Sequence, residues 1–139
     1  MKKMPSSIAL KVSLENLKKV SSFVHKWAKK ASLSDHSEKE LFLAVEEAYV
    51  NIVKYAYPEP SGKVTVYCYM DKDTLTLKIK DEGIPFNPLE FPQPYLASHL
   101  EEREVGGLGV FLIRRLVDNV EYKRQGKYNV LTLVKSKKK

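Results

Sequence analysis

Three glycines within four residues, Gly106, Gly107 and Gly109, open an apolar run with helical spacing, Val110-Phe111-Leu112-Ile113-Arg114-Arg115-Leu116. Glycine reaches backbone angles closed to other residues and has no side chain to hold a ligand away. The helix behind it offers free N–H groups and the positive end of its dipole. Such a turn is either a cradle for a phosphate chain or a plain hinge before a helix. The rest of the chain has to supply a scaffold that presents this turn.

The flanking pattern describes one. Ile8 to Val12 alternates and reads as a short strand. Ser13 is placed to cap a helix from Leu14 to about Ala31, with Leu17, Val20, Phe23, Val24, Trp27 and Ala28 on one face. A second helix is predicted from about Asp35, with Glu38 as a capping-box partner, continuing through Ala56 to Pro58 and Pro60. Residues 63–70 and 74–80 alternate around an Asp71-Lys72-Asp73 turn and form a hairpin. Residues 81 to about 105 are Pro-rich and irregular, a loop length that is usually functional or disordered. After the glycine helix come strands 119–124 and 128–134 around Gln125-Gly126-Lys127. The order β-α-α-β-β-loop-α-β-β predicts one α+β domain over residues 1–139: a two-layer α/β sandwich, its sheet mostly antiparallel with the helices on one face.

Composition narrows the possible functions. The chain has 139 residues, 43% of them hydrophobic, enough for one core. No apolar run approaches the ~18–20 residues of a membrane span, and the start does not read as a signal peptide. The one cysteine, Cys68, has no intrachain partner, so the expected compartment is the cytoplasm. The net charge of +7 is concentrated at the ends, in Lys2, Lys3, Lys135 and Lys137 to Lys139. Without these lysines the body is close to neutral. Residues 135–139 read as a basic tail, and direct nucleic-acid binding is not expected.

Two further constellations carry chemistry. At about 100° per residue, Asn51 falls about 40° from Glu47 and Lys54 about 20° to the other side, so the three share one stripe of the second helix. That stripe is either an ordinary solvated face or a site. As a site, Asn51 supplies an oxygen suited to Mg²⁺, Glu47 a carboxylate able to accept a hydroxyl proton, and Lys54 a charge for phosphate. The other constellation is Asp81-Glu82-Gly83-Ile84-Pro85-Phe86-Asn87-Pro88 at a strand end, a common turn composition. A carboxylate fixed there is able to accept a hydrogen bond from an exocyclic amine, which separates adenine from guanine. Gly83 leaves room for a base to approach the backbone.

In this order, Glu47-x-x-x-Asn51, Asp81-x-Gly83 and Gly106-Gly107-Leu108-Gly109 resemble the N, G1 and G2 boxes of the GHKL ATPase superfamily. Within it, the resemblance is strongest to the anti-sigma-factor serine/threonine kinases of bacteria. Ala44-Val45-Glu46-Glu47-Ala48, the Asp81–Pro88 segment and residues 106–118 carry it, and it spans about residues 8–135. Pro85 replaces the second glycine of the wider G1 box, and Tyr55 stands where many anti-sigma kinases have histidine.

The resemblance implies a Bergerat-type ATP-binding fold with a flexible ATP lid over about residues 86–105. It implies ATP as substrate, ADP as product, and Mg²⁺ held by Asn51. Glu47 would be the general base, Asp81 the adenine-reading carboxylate with Gly83 beside it, and Thr132 a support for the adenine. Gly106, Gly107, Leu108 and Gly109 would contact the phosphates, and Arg103 would approach them when the lid closes. The implied activity is phosphorylation of a serine or threonine on an anti-anti-sigma antagonist, together with sequestration of a sigma factor, in a chain that dimerises. An ATP-gated binding module without kinase activity is the alternative. A histidine kinase catalytic fragment is a third reading, disfavoured because no phospho-acceptor helix precedes the domain.

Overall fold

The computed structural model describes residues 6–56, 62–87, 89 and 109–136. Strand β1 is Ser6–Lys11 and helix α1 is Leu17–Lys30, with a short 3₁₀ turn at Leu14–Asn16 between them. Helix α2 is Asp35–Asn51 and continues into a π-turn, Ile52–Ala56. Strands β2 (Lys63–Asp71) and β3 (Thr74–Asp81) form a hairpin, α3 spans Gly109–Leu116, and β4 (Asn119–Gln125) and β5 (Tyr128–Ser136) form a second hairpin.

The five strands make one sheet in the order β1-β2-β3-β5-β4, antiparallel at every pairing. The crossover inserts β5 between β3 and β4, so the two hairpins share a central β3–β5 pair. Strand alternation then decides which side chains face the helices. Ile8 and Leu10, Val64, Val66 and Cys68, Leu75, Leu77 and Ile79, and Leu131 and Leu133 all pack into one core with the helices. From that side, α1 contributes Val20, Val24 and Ala28, and α2 contributes Leu41, Ala44, Val45, Ala48 and Tyr49. The Tyr49 hydroxyl donates to the Ser13 carbonyl at 2.7 Å, tying α2 to the entry of α1. The architecture is therefore the expected two-layer α+β sandwich.

Local boundaries differ from the sequence expectation in four places. Strand β1 covers Ser6–Lys11 instead of residues 8–12, because pairing with β2 begins at Ser6 opposite Cys68. Ser13 caps the 3₁₀ turn, accepting from Glu15 N at 3.1 Å, and α1 proper starts only at Leu17. The cap of α2 is Ser34, whose hydroxyl accepts from Ser37 N at 3.0 Å. Asp35 and Glu38 are instead engaged by Lys29, at 3.2 and 3.4 Å, and Glu38 also by His25. Finally, the second helix does not stay α-helical to Ala56.

A further correction concerns Lys135, expected in a solvated tail. Strand β5 runs on to Ser136, and Lys135 is 3% exposed. Its ammonium donates to Glu40 Oε1 at 2.8 Å and to the Leu116 carbonyl at 2.6 Å. A cation at a helix C-terminus satisfies an orphan carbonyl and opposes the negative end of the dipole. Residues 137–139, and most of the expected lid, lie outside the described residues.

Candidate active site

The site is built on α2, on the end of β3 and on α3. Glu47 and Asn51 are one turn apart on α2, yet their stripe is not the solvated face that the helical count allowed. Asn51 is fully buried, and among the described residues neither its Oδ1 nor its Nδ2 has a hydrogen-bond partner. Glu47 is half-buried, and its Oε1 is likewise buried with no partner. Orphaned buried polar groups cost about 1–3 kcal/mol each, so two adjacent ones make this turn of α2 a candidate site. Burial pushes the Glu47 carboxyl above its ordinary value, and the neighbouring Glu46 charge pushes it the same way.

Lys54 is exposed and lies in the π-turn. A π-turn advances by a smaller angle per residue than an α-helix, so the 100° count carried through Asn51 fails beyond it. The π-turn thus shifts Lys54 from the angle that the α-helical count gives, while Glu47 and Asn51 keep theirs.

At the end of β3, Asp81 is 1% exposed. Its Oδ1 accepts from Gly83 N at 2.8 Å and from Asn129 Nδ2 at 3.0 Å. The structure shows a packing reason for a glycine at position 83. A Cβ there would meet the Ala56 carbonyl oxygen at 2.5 Å and Ala56 Cβ at 2.8 Å. The close approach is to the π-turn, sealed by Ile84 N donating to Ala56 O at 3.0 Å. The turn after β3 thus docks on the end of the same helix that carries Glu47 and Asn51.

Thr132 is not brought to this group. Asp81 pairs with Asn129 across β3 and β5, whereas Thr132 pairs with Lys78. It is three residues further along, about 10 Å at strand rise. It also alternates with the buried Leu131 and Leu133, which puts it on the sheet face away from the helices. The residue beside Asp81 is Asn129, 3% exposed, which sequence reasoning passed over. Its signal was available: Asn129, Leu131 and Leu133 share one strand face, so a polar residue heads an otherwise apolar row.

Gly109 is the first residue of α3, so the glycine cluster does lead into a helix N-terminus. Gly106, Gly107, Leu108 and Arg103 fall outside the described residues. Cys68 is buried in the sheet core with its thiol pushed up to about 12, which makes it packing and not a nucleophile. Among the described residues, no cluster of three or more His, Cys, Asp or Glu gathers, and no helix is long and apolar enough to cross a membrane.

An antiparallel five-stranded sheet backed by helices, with an acid–amide pair on one helix and a buried aspartate at the adjoining strand end, defines a nucleotide-binding domain of the kinase-like ATPase class. The sequence matches the histidine kinase-like ATPase domain family over residues 10–135. It is 35% identical over 111 residues to the Serine-protein kinase RsbW of Listeria innocua serovar 6a, covering 76% of this chain and 71% of that one. It is 32% identical over 92 residues to the Serine-protein kinase RsbW of Bacillus mycoides, covering 60% of this chain and 54% of that one. Among solved structures, the fold resembles that of the RsbU and RsbW domains of a Mycobacterium tuberculosis protein. The TM-score is 0.68 at 14% identity, over 96% of this chain and 32% of the longer one. The chain belongs to the histidine kinase-like ATPase domain family and, within it, to the anti-sigma-factor kinases that the RsbW proteins represent.

Proposed function

We propose that this chain is an ATP-dependent protein kinase that phosphorylates a serine or threonine of a small anti-anti-sigma protein and, as a homodimer, holds a sigma factor away from transcription. The observation that carries the reading is the buried pair on α2: Glu47 Oε1 and the Asn51 amide, one turn apart and both without partners among the described residues. A module that only bound nucleotide would have no use for the carboxylate. The names of the relatives, serine-protein kinases, support the same assignment.

In this reading the acceptor hydroxyl attacks the γ-phosphorus of ATP and the bond to the ADP oxygen breaks. The hydroxyl proton passes to Glu47, whose carboxyl is pushed above its ordinary value by burial and so takes up a proton more readily than a solvated one. Asn51 would hold a Mg²⁺ ion accompanying the phosphates through its hard side-chain oxygen, and such an ion would supply charge neutralisation there. The orphaned state of the Asn51 carboxamide fits that group. Asp81 accepts from the exocyclic amine of adenine, and the α3 N-terminus with Gly106 to Gly109 receives the phosphates. Arg103 and the segment 86–105 close over them. The family assignment supports a cytoplasmic setting.

The test is phosphotransfer from γ-labelled ATP to a purified anti-anti-sigma protein. The wild-type chain transfers label to a hydroxyl of the partner. Glu47→Gln binds ATP with similar affinity and loses transfer by about 100-fold or more, the usual scale for a general base. Binding of ATP by the wild type with no transfer to any such partner overturns the kinase reading in favour of an ATP-gated binding module.

A further inference from the structure

We propose that Asn129, locked in place by Tyr122 and Arg124, is a positioning residue that sets the nucleobase preference of the site by fixing the Asp81 carboxylate. The inference rests on the reading that Asp81 contacts adenine.

The Asn129 side chain spends all its hydrogen-bonding capacity in one cluster. Its Nδ2 donates to Asp81 Oδ1 at 3.0 Å and to the Ile84 carbonyl at 2.9 Å. Its Oδ1 accepts from Phe86 N at 3.1 Å, from the Tyr122 hydroxyl at 2.5 Å and from Arg124 Nη1 at 3.2 Å. A primary amide has two N–H donors, and both are used. Reversing the amide would set its oxygen against a carboxylate and a carbonyl, and its N–H groups against two groups that only donate, Phe86 N–H and the Arg124 guanidinium. The orientation is therefore imposed by the neighbours.

Tyr122 and Arg124 come from the edge strand β4, and Arg124 is opposite Asn129 in register. Arg124 Nη1 also donates to the Gly83 carbonyl at 2.9 Å. The turn from Gly83 to Phe86 is thus held by Arg124 of β4 at Gly83 and by Asn129 of β5 at Ile84 and Phe86, and Asn129 is the residue that also holds Asp81. A carboxylate alone rotates in a broad torsional well. Two N–H groups on one oxygen, from Gly83 and Asn129, set its plane.

A set plane matters because adenine and guanine differ by donor against acceptor at one position. A rigid acceptor rewards the amine and leaves the oxo group facing a carboxylate oxygen. A carboxylate free to turn away relaxes that penalty. Discrimination of this kind comes from a polar group that cannot escape its mismatch. If Asn129 merely glued the turn to the sheet, its loss would weaken every ligand alike.

The 139-residue chain is titrated calorimetrically with ATP, GTP and inorganic tripolyphosphate, for wild type, Asn129→Leu, Tyr122→Phe and Asp81→Asn. Thermal melting checks each fold. The expected result is that Asn129→Leu narrows the ATP-over-GTP preference by about tenfold or more while tripolyphosphate affinity stays unchanged. Tyr122→Phe, which removes one donor to Asn129 Oδ1, narrows it by a smaller factor. Equal losses for all three ligands, or an unchanged preference in both variants, overturn the proposal. Should Asn129→Leu fail to melt cooperatively, Tyr122→Phe decides: a narrowed ratio supports the inference and an unchanged ratio refutes it. A wild type that binds ATP and GTP alike sinks the adenine reading itself. If Asp81→Asn narrows the ratio and the Asn129 and Tyr122 variants do not, only the positioning role fails.

Discussion

Lys135 Nζ donates to the Leu116 carbonyl at 2.6 Å, joining the last strand to the C-terminal end of α3. The same ammonium takes Glu40 Oε1 at 2.8 Å and so ties in α2 as well. One buried cation therefore connects both helices that carry the site to the sheet beneath them.

Lys135→Met keeps the apolar stem and removes the charge, leaving a helix-end carbonyl and a carboxylate without their donor. The cost is about 1–3 kcal/mol, read as a lower midpoint in urea or thermal melts. The Lys135 hydrogen bond holds the Glu40 carboxyl below its ordinary value. Its stabilisation is present above the unfolded pKa and is lost as pH falls through the folded one. The gap between wild type and variant accordingly narrows in acid. A gap that does not change with pH would leave the carbonyl bond as the sole contribution.

Gly83→Ala forces a methyl against the Ala56 carbonyl at 2.5 Å. The contact is with backbone, so the turn has to lift from the π-turn, at an overpacking cost of about 1–3 kcal/mol. The melting midpoint falls and ATP affinity falls with it, because Asp81 Oδ1 is bonded to the displaced Gly83 N–H. Native stability in this variant would contradict the packing described for Ala56.

Asn51→Ala separates stability from binding. The lost amide has no partner among the described residues, so relief of its desolvation offsets the small cavity left behind. The midpoint without ligand changes by less than about 1 kcal/mol. Mg²⁺-dependent ATP binding, read by calorimetry with and without the ion, is lost. Retained Mg²⁺ dependence would remove Asn51 from the metal's ligand set.

Glu47→Gln has a pH signature independent of catalysis. Burial raises the Glu47 carboxyl in the folded chain, so the folded state holds that proton more tightly. The associated stability is complete below the unfolded pKa of about 4.3 and is lost as pH rises through the folded value. The variant therefore gains on the wild type between acid and neutral pH. The carboxylate is partly solvated, so screening keeps that gain below about 1 kcal/mol. Urea melts at pH 4 and pH 8 measure it, and an equal difference at both would mean that the charge is not desolvated.

Much of this protein is legible in its residues alone. Alternation located four of the five strands closely, and glycines, prolines and turn residues located most breaks between elements. The spacing of Glu47 and Asn51 places them together on any α-helix, whatever surrounds it. Asp81 and Gly83 are two residues apart in the chain, so their hydrogen bond needs only a turn. These are short-range properties, and sequence patterns report short-range geometry faithfully.

What the local pattern left open was decided by contacts between distant segments. The polar stripe of α2 could have been solvated, and tertiary packing buried Asn51 completely. A strand position has two faces, and only the β3–β5 register shows that Asn129, and not Thr132, sits beside Asp81. Lys135 looks like part of a basic tail until β5 is paired, and its partner Glu40 is 95 residues away. Asn129 and Asp81 are 48 residues apart. Sequence by itself determined the elements and the chemistry each carries, because backbone periodicity is set by near neighbours. Register, burial and partner choice belonged to the tertiary structure, because they depend on which surfaces meet once the chain has closed its core.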